Sequence, residues 1–371
     1  MSQAGKIVVY GANGYTGKLI AESLHKRGIP FTAAGRNREK LEQSLEVVAA
    51  RAGAERIDAE VAVVDHDQQA LAQLFEGARV VVNVTGPFAQ IGEPVVAAAL
   101  QAGCHYLDTT GEQDFMLSMK RAYGAKYAER GLLLSPACSY MWTMGALAAE
   151  VCLESPEIDS LEISYVTERG VPSVASTRSF MRMLASPHYF LQDNELVEWP
   201  LGKTWDIAVP GALTVYKGSS WGGAAEPTWY QDDPRVRSCK VLQCAENTAM
   251  EMVIGAVQQI VAQSEGQPDE VREAISNGVA DTITLAEPEK EDPLIHRALV
   301  HCHGRGSASY RSCNLVMHSA YVVTGELIAH GCQELLNGEP ARTGFASATA
   351  TFGHRALLGM LEEGGFLTVA E

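Results

Sequence analysis

Along the first 140 residues, short aliphatic runs alternate with amphipathic stretches. The runs Ile7–Tyr10, Phe31–Ala34, Glu60–Val64, Arg79–Val84, His105–Leu107 and Leu132–Leu134 predict six strands. Between them the spacing of apolar positions predicts helices, among them Lys18–Arg27, Arg38–Arg51 and Glu93–Gln101, the last stopping at Ala102-Gly103. Val80-Val81-Val82 is apolar without a break, as a parallel strand covered on both faces must be. The alternation predicts an α/β fold, a Rossmann-type doubly wound parallel sheet.

Beyond about Ser139 the pattern loosens. Trp199, Trp205, Trp221 and Trp229 crowd one stretch together with Pro200, Pro210, Pro227 and Pro234, which predicts turns rather than a long helix. Two β-like runs, Ala298–His303 and Tyr310–Met317, flank a turn at Gly304-Arg305-Gly306, and a long helix is expected over Ser319–Leu336. These features predict a second, α+β domain on an open sheet, interleaved with the first. Residues 1–140 plus 337–371 are assigned to the Rossmann domain and 141–336 to a substrate and dimerisation domain.

A chain of 371 residues is too long for one ordinary core, in keeping with two domains. With 46% hydrophobic and 20% charged residues it has a globular composition. A net charge of −16 without any Lys/Arg run argues against nucleic acid or an anionic membrane as partner. Every apolar run falls short of the ~18 residues a membrane span needs, and the N-terminus enters a strand without signal-peptide features. The eight cysteines show no CxxC spacing, which suits reduced thiols and a cytoplasmic location. His301-Cys302-His303 holds metal-ligand residue types, but on a strand its cysteine faces away from its histidines. No metal is expected.

The chemistry gathers at strand ends. Gly11-Ala12-Asn13-Gly14-Tyr15-Thr16-Gly17 follows the first strand and opens a helix. Gly11 permits the tight turn and Gly14 lets the backbone approach a pyrophosphate. Gly17 allows close packing, and the helix N-terminus faces the phosphates. An NAD site carries an acid at the end of the second strand; here Gly35-Arg36-Asn37-Arg38 stands there instead. A guanidinium suits the 2′-phosphate of NADP, so Arg36 predicts NADP(H), although Arg36 and Arg38 could also open a solvated helix capped by Asn37. Val84-Thr85-Gly86-Pro87-Phe88, after the fourth strand, is expected to border the ribose and nicotinamide, and Asp65 the adenine side unless it caps a helix.

Two more strand ends, Asp108-Thr109-Thr110-Gly111-Glu112 and Pro136-Ala137-Cys138-Ser139-Tyr140, point to the same crevice. Asp108 reads as a proton carrier or a helix cap. Tyr140 reads as a proton donor or a packed hinge residue, and Cys138 as a substrate contact without a partner for covalent chemistry. Arg178 and Arg182 share a face of a helix expected over Ser176–Leu184, and Arg178 is a candidate clamp for a substrate carboxylate against the alternative of solvated surface.

With these motifs placed, the first ~145 residues resemble the saccharopine dehydrogenase-like oxidoreductases, including their trans-acting enoyl reductase branch. The matching stretches are GANGYTGKLIAESL from Gly11, AAGRNREKL from Ala33 and NVTGPFAQIGEPVVAAALQAGCHYLDTTGE from Asn83. The segment Gly353–Gly364 after ASATATF also looks like the family, and is expected to return to the Rossmann domain. Residues 141–335 resemble it loosely, and the family's Pro-Ala-Cys-Gly-Phe-Asp stretch is here Pro136-Ala137-Cys138-Ser139-Tyr140-Met141, without the acid. The resemblance implies an NADPH-dependent reductase acting on a polarised C=C or C=N bond of a small molecule; the β-rich runs from Ala298 to Met317, whose exposed face or edge needs covering, separately predict a homodimer. The alternative is a non-catalytic NADP-binding sensor or scaffold.

Overall fold

A computed structural model describes the protein over residues 7–184, 186–200, 202–210, 213–245 and 247–371. The chain opens with β1 (Ile7–Tyr10), α1 (Tyr15–Lys26), β2 (Phe31–Gly35), α2 (Arg38–Ala52) and β3 (Ala59–Val63). It continues through α3 (Gln68–Phe75), β4 (Val80–Asn83), α4 (Phe88–Ile91), α5 (Glu93–Ala102), β5 (His105–Asp108), α6 (Gln113–Glu129) and β6 (Leu133–Ser135). Then come α7 (Tyr140–Leu153), β7 (Ser160–Glu168), α8 (Val174–Leu184), β8 (Tyr189–Gln192), β9 (Glu195–Glu198), β10 (Thr204–Ala208) and β11 (Val215–Ser219). Next are α9 (Ala225–Tyr230), β12 (Ser238–Ala245), α10 (Asn247–Ser264), α11 (Asp269–Ile283), β13 (Arg297–Arg305) and β14 (Tyr310–His318). The chain closes with α12 (Ala320–Asn337), β15 (Gly344–Phe345), α13 (Ala348–Phe352), α14 (His354–Glu363) and β16 (Leu367–Ala370).

By compactness the chain divides into two units. The first holds residues up to Thr110, Phe115–Thr143 and Tyr321–Leu361; the second holds Gly111–Asp114, Met144–Ala320 and Glu362–Glu371. The return to the first unit therefore starts at Tyr321, ahead of position 337, and the last residues go back to the second unit as β16. In that position β16 pairs antiparallel with β14.

In the first unit the sheet order is β15-β6-β5-β4-β1-β2-β3, with every pair parallel. Without β15 this is the doubly wound order of a dinucleotide-binding fold. β1 and β4 are buried at every residue because helices cover both faces, while the edge strand β3 is only partly covered. One side of the sheet packs Val8, Tyr10, Leu71, Phe75, Val81, Val96, Tyr106 and Phe115 into a single core. The helices start and stop on local chemistry. Asn37 caps α2 through Lys40 N–H, Asp67 caps α3, and Gly53 and Gly103 end α2 and α5 in the left-handed conformation.

The second unit is a mixed sheet in the order β10-β11-β12-β7-β13-β14-β16, with β8 pairing β12 and β9. β12 runs parallel to β7, and β13 lies antiparallel to both β7 and β14. Among the described residues the Trp-rich stretch forms the short strands β10 and β11 and the short helix α9. The hairpin joining β13 and β14 turns at residues 306–309, later than the predicted 304–306, and is closed by Gly306 N–H to the Ser309 carbonyl. Among the described residues no helix is long and apolar enough to cross a membrane, and no group of three or more His, Cys, Asp or Glu could hold a metal ion.

Candidate functional site

Parallel pairing brings the predicted residues of the first unit to one edge of its sheet. Tyr10 pairs with Asn83 and Asn83 with Asp108, while Tyr10 also pairs with Ala34 and Gly35 with Val63. The segments that follow these strands begin at Gly11, Val84, Thr109, Arg36 and Val64, so all emerge at the carboxyl edge, where ligands of open α/β sheets bind.

The turn after β1 is built for close approach. Gly11 has φ +93°, which disfavours a side chain, and a Cβ there would meet the Thr85 methyl at 2.8 Å. A Cβ on Gly17 would lie 2.5 Å from the Gly11 carbonyl oxygen and 2.7 Å from that of Ala12, so Gly17 permits the helix to start against its own loop. Gly14 differs: a Cβ would meet only the Gly11 oxygen, at 3.3 Å. As N-cap of α1 it brings no capping side chain, and the first turn, with Tyr15 and Thr16, has no acid. The positive end of α1 is therefore left for an anion, and a pyrophosphate fits this cradle. Asn13 is held through its carbonyl by Ser44 Oγ, and its side-chain oxygen lies close over Gly35.

Arg36 is exposed at the tip between β2 and α2. Asn37 has a structural duty, since its side chain accepts the Lys40 N–H at 3.0 Å. Asp65 is exposed and does not cap α3; Asp67 does, accepting the N–H groups of Gln69 and Ala70. After β4, Val84 N–H bonds the Tyr10 carbonyl, and Thr85 gives both its N–H and its hydroxyl to Asn83 Oδ1, at 3.0 and 2.6 Å. Asn83 Nδ2 in turn donates to Tyr106 Oη. Gly86-Pro87, a cis peptide, then leads into α4. A buried amide therefore sets the loop expected to border the ribose.

The candidates for proton transfer fare differently. Asp108 is fully buried, its Oδ1 accepting the N–H groups of Thr110 (2.9 Å) and Ala137 (2.8 Å), and its carbonyl the N–H of Cys138. A carboxylate so enclosed ties β5 to the turn after β6, and the proton-carrier reading gives way to the structural one. Cys138 is 1% exposed, and burial, helped by the Asp108 charge, pushes its thiol up to about 12. It is neither a thiolate nor an accessible substrate contact. Tyr140 opens α7, is largely buried, and donates its N–H to Thr324 Oγ1 of α12.

In the second unit Arg178 is paired with an acid. Its guanidinium makes a forked pair with Asp281 of α11, at 2.8 and 3.1 Å, and so joins two helices at the surface. Arg182 is buried and neutralised by Glu112 (2.7 Å) and Asp114 (2.8 Å), while Ser179 donates to Glu112. Sequence spacing showed the shared helix face but not the acids opposite it, which come from distant parts of the chain.

Two residues that the sequence reading passed over stand at the same edge as Arg36. Tyr10 Oη and His66 Nδ1 are 2.9 Å apart, with ring planes within 13°. The signal was present in principle, as a tyrosine is an unusual polar end for a strand otherwise reading Ile-Val-Val.

Comparison with known proteins agrees with this geometry. Residues 143–370 match a family model described as a family of unknown function (DUF5938), and residues 7–131 match the saccharopine dehydrogenase NADP binding domain. A Caenorhabditis elegans protein named lipid droplet localized protein is 34% identical over 139 residues, covering 36% of this chain and 33% of that protein. A Mus musculus saccharopine dehydrogenase-like oxidoreductase is also 34% identical over 139 residues, covering 34% and 32%. The matched region is thus about a third of these relatives' length. The saccharopine dehydrogenase (L-Glu forming) of Saccharomyces cerevisiae superposes with a TM-score of 0.62 over 98% of this chain and 99% of that one, at 10% identity, a likeness of fold. The cofactor of the first unit is NADP(H).

Proposed function

We propose that this chain, which belongs to the DUF5938 family of unknown function and carries a saccharopine dehydrogenase-type NADP-binding domain, is an NADPH-dependent oxidoreductase that reduces a polarised C=C or C=N bond of a small molecule. The observation that carries the reading is the uncapped α1 N-terminus behind Gly14, with Arg36 rather than an acid beyond β2. When bound, the nicotinamide supplies the hydride, which is why the protein itself needs no elaborate catalytic constellation. The chain's own work is to hold the pyrophosphate on the loop from Gly11 to Thr16 and the 2′-phosphate on Arg36. The Asn83–Thr85 bonds keep the loop through Pro87 in one conformation.

For the proton we propose Tyr140, itself largely buried, ahead of Asp108, whose Oδ1 is taken by two backbone N–H groups, and of Cys138, whose thiol burial holds protonated. A phenol can donate while its ring packs against apolar groups. The non-catalytic reading draws support from those same enclosures, together with the pairing of Arg178 and Arg182 by acids. Incubating the protein with NADPH and a panel of conjugated enones and imines, while following NADPH absorbance, separates the two. Turnover on one class is expected, and Tyr140→Phe should lower it ~10²–10⁴-fold with NADPH binding unchanged. Tight NADPH binding without oxidation by any panel member would instead favour the sensor.

A further inference from the structure

We propose that His66 is a contact residue for the adenine ring of the cofactor, and that Tyr10 is the positioning residue that holds it there. The inference rests on the assignment of the carboxyl edge of the first sheet to NADP(H). Tyr10 is the last residue of β1, and its ring lies in the core with Val8, Leu71 and Phe75, leaving it 2% exposed. Its hydroxyl reaches His66 Nδ1 at 2.9 Å. The ring centroids are 5.9 Å apart and the planes differ by 13°, so the imidazole lies offset from a buried phenol and nearly parallel to it. An imidazole tied at one nitrogen and backed by a rigid ring is oriented before any ligand arrives, which lowers the ordering cost of binding.

His66 follows β3 and is half-buried, at the edge where Arg36 follows β2. The Arg36 charge acts on both Tyr10 and His66, and the Asp65 charge acts on Tyr10. From α4 the Ile91 carbonyl faces the imidazole, whose Nε2 is shielded from solvent. These are the groups around the ring, and they place it and Arg36 within reach of one ligand.

The charge state decides between two roles. Burial first, and then the Arg36 guanidinium, hold the imidazole below its ordinary range, so it is neutral at pH 7. A neutral ring adds little to a phosphate that already has a guanidinium. A flat, uncharged π face next to that guanidinium suits a purine whose ribose carries the phosphate. Arg36 takes the phosphate and His66 the base. In a doubly wound sheet the adenosine end lies beyond the pyrophosphate toward β2 and β3, the side on which both residues stand.

Calorimetric titration of the full chain with NADPH, NADH and adenosine 2′,5′-bisphosphate tests the assignment. His66→Ala should weaken all three by a common factor of about ten, in the range for removing one aromatic from a base stack. His66→Phe should recover most of the loss, and Tyr10→Phe should show an intermediate one, with melting temperatures confirming that each variant is folded. If wild-type protein binds neither NADPH nor the bisphosphate, the cofactor assignment itself falls. If wild type binds both and His66→Ala binds them equally well, or if His66→Phe recovers nothing, the role of His66 falls while the cofactor site stands.

Discussion

Asp108 and Glu226 are both buried carboxyls, held by different partners. Asp108 receives two backbone N–H groups. Glu226 accepts the Tyr165 hydroxyl at 2.8 Å, whose oxygen in turn accepts the Gly145 N–H, and burial pushes its carboxyl up to about 8. In the unfolded chain it would ionise near 4.5, so the folded state must keep it protonated at increasing cost as pH climbs from about 4.5 to 8. Its contribution to stability is therefore fullest below pH 4.5 and falls across that window. Glu226→Gln, which cannot ionise, is expected to raise Tm by roughly 5 °C at pH 8 and to change it little at pH 4.5. Thermal melts showing the same shift at both pH values would contradict this. Neither set of partners was legible in the sequence, because each is assembled only by folding. Arg36 was legible, since its position after a strand is itself the signal.

Between neighbouring elements, the loop joining β1 to α1 separates two glycine roles that the motif alone runs together. Gly17 is closed by backbone atoms at 2.5 and 2.7 Å that cannot move aside, whereas a Cβ on Gly14 would meet one backbone atom, the Gly11 oxygen at 3.3 Å, a contact relieved by a shift of a few tenths of an ångström. Gly17→Ala should therefore damage folding itself and lower Tm sharply, while Gly14→Val should leave Tm close to wild type and abolish NADPH binding. Calorimetry and thermal melts of the pair check this; NADPH bound by the Gly14 variant with wild-type affinity would show that no pyrophosphate lies there. The six predicted strands of the first unit fell within about a residue of their expected ends, the buried ones announcing themselves as aliphatic runs, while the two-residue β15 was not predicted. The second unit was less legible. β12 pairs with β7 across a long separation, and the helices α10 and α11 intervene before β13 joins the same sheet. Local periodicity carries no information on such distant pairing.

At the scale of the whole molecule, the chain leaves its first unit, builds a mixed sheet, returns through α12, and ends as an edge strand of the second sheet. A homodimer remains our proposal, motivated by the β-rich hairpin of β13 and β14, where Tyr310 is 77% and Val316 53% exposed. Light scattering at micromolar concentration should report twice the 39.9 kDa chain mass, and a monomer would contradict it. The central claim is that the first unit selects NADP(H) through Arg36, and parallel calorimetric titrations with NADPH and NADH test it most directly. Wild type should bind NADPH more tightly, and Arg36→Ala should remove that preference by losing ~1.5–3 kcal/mol for NADPH alone. Equal affinity of the wild type for NADPH and NADH, or an Arg36→Ala variant that keeps the preference, would contradict the account.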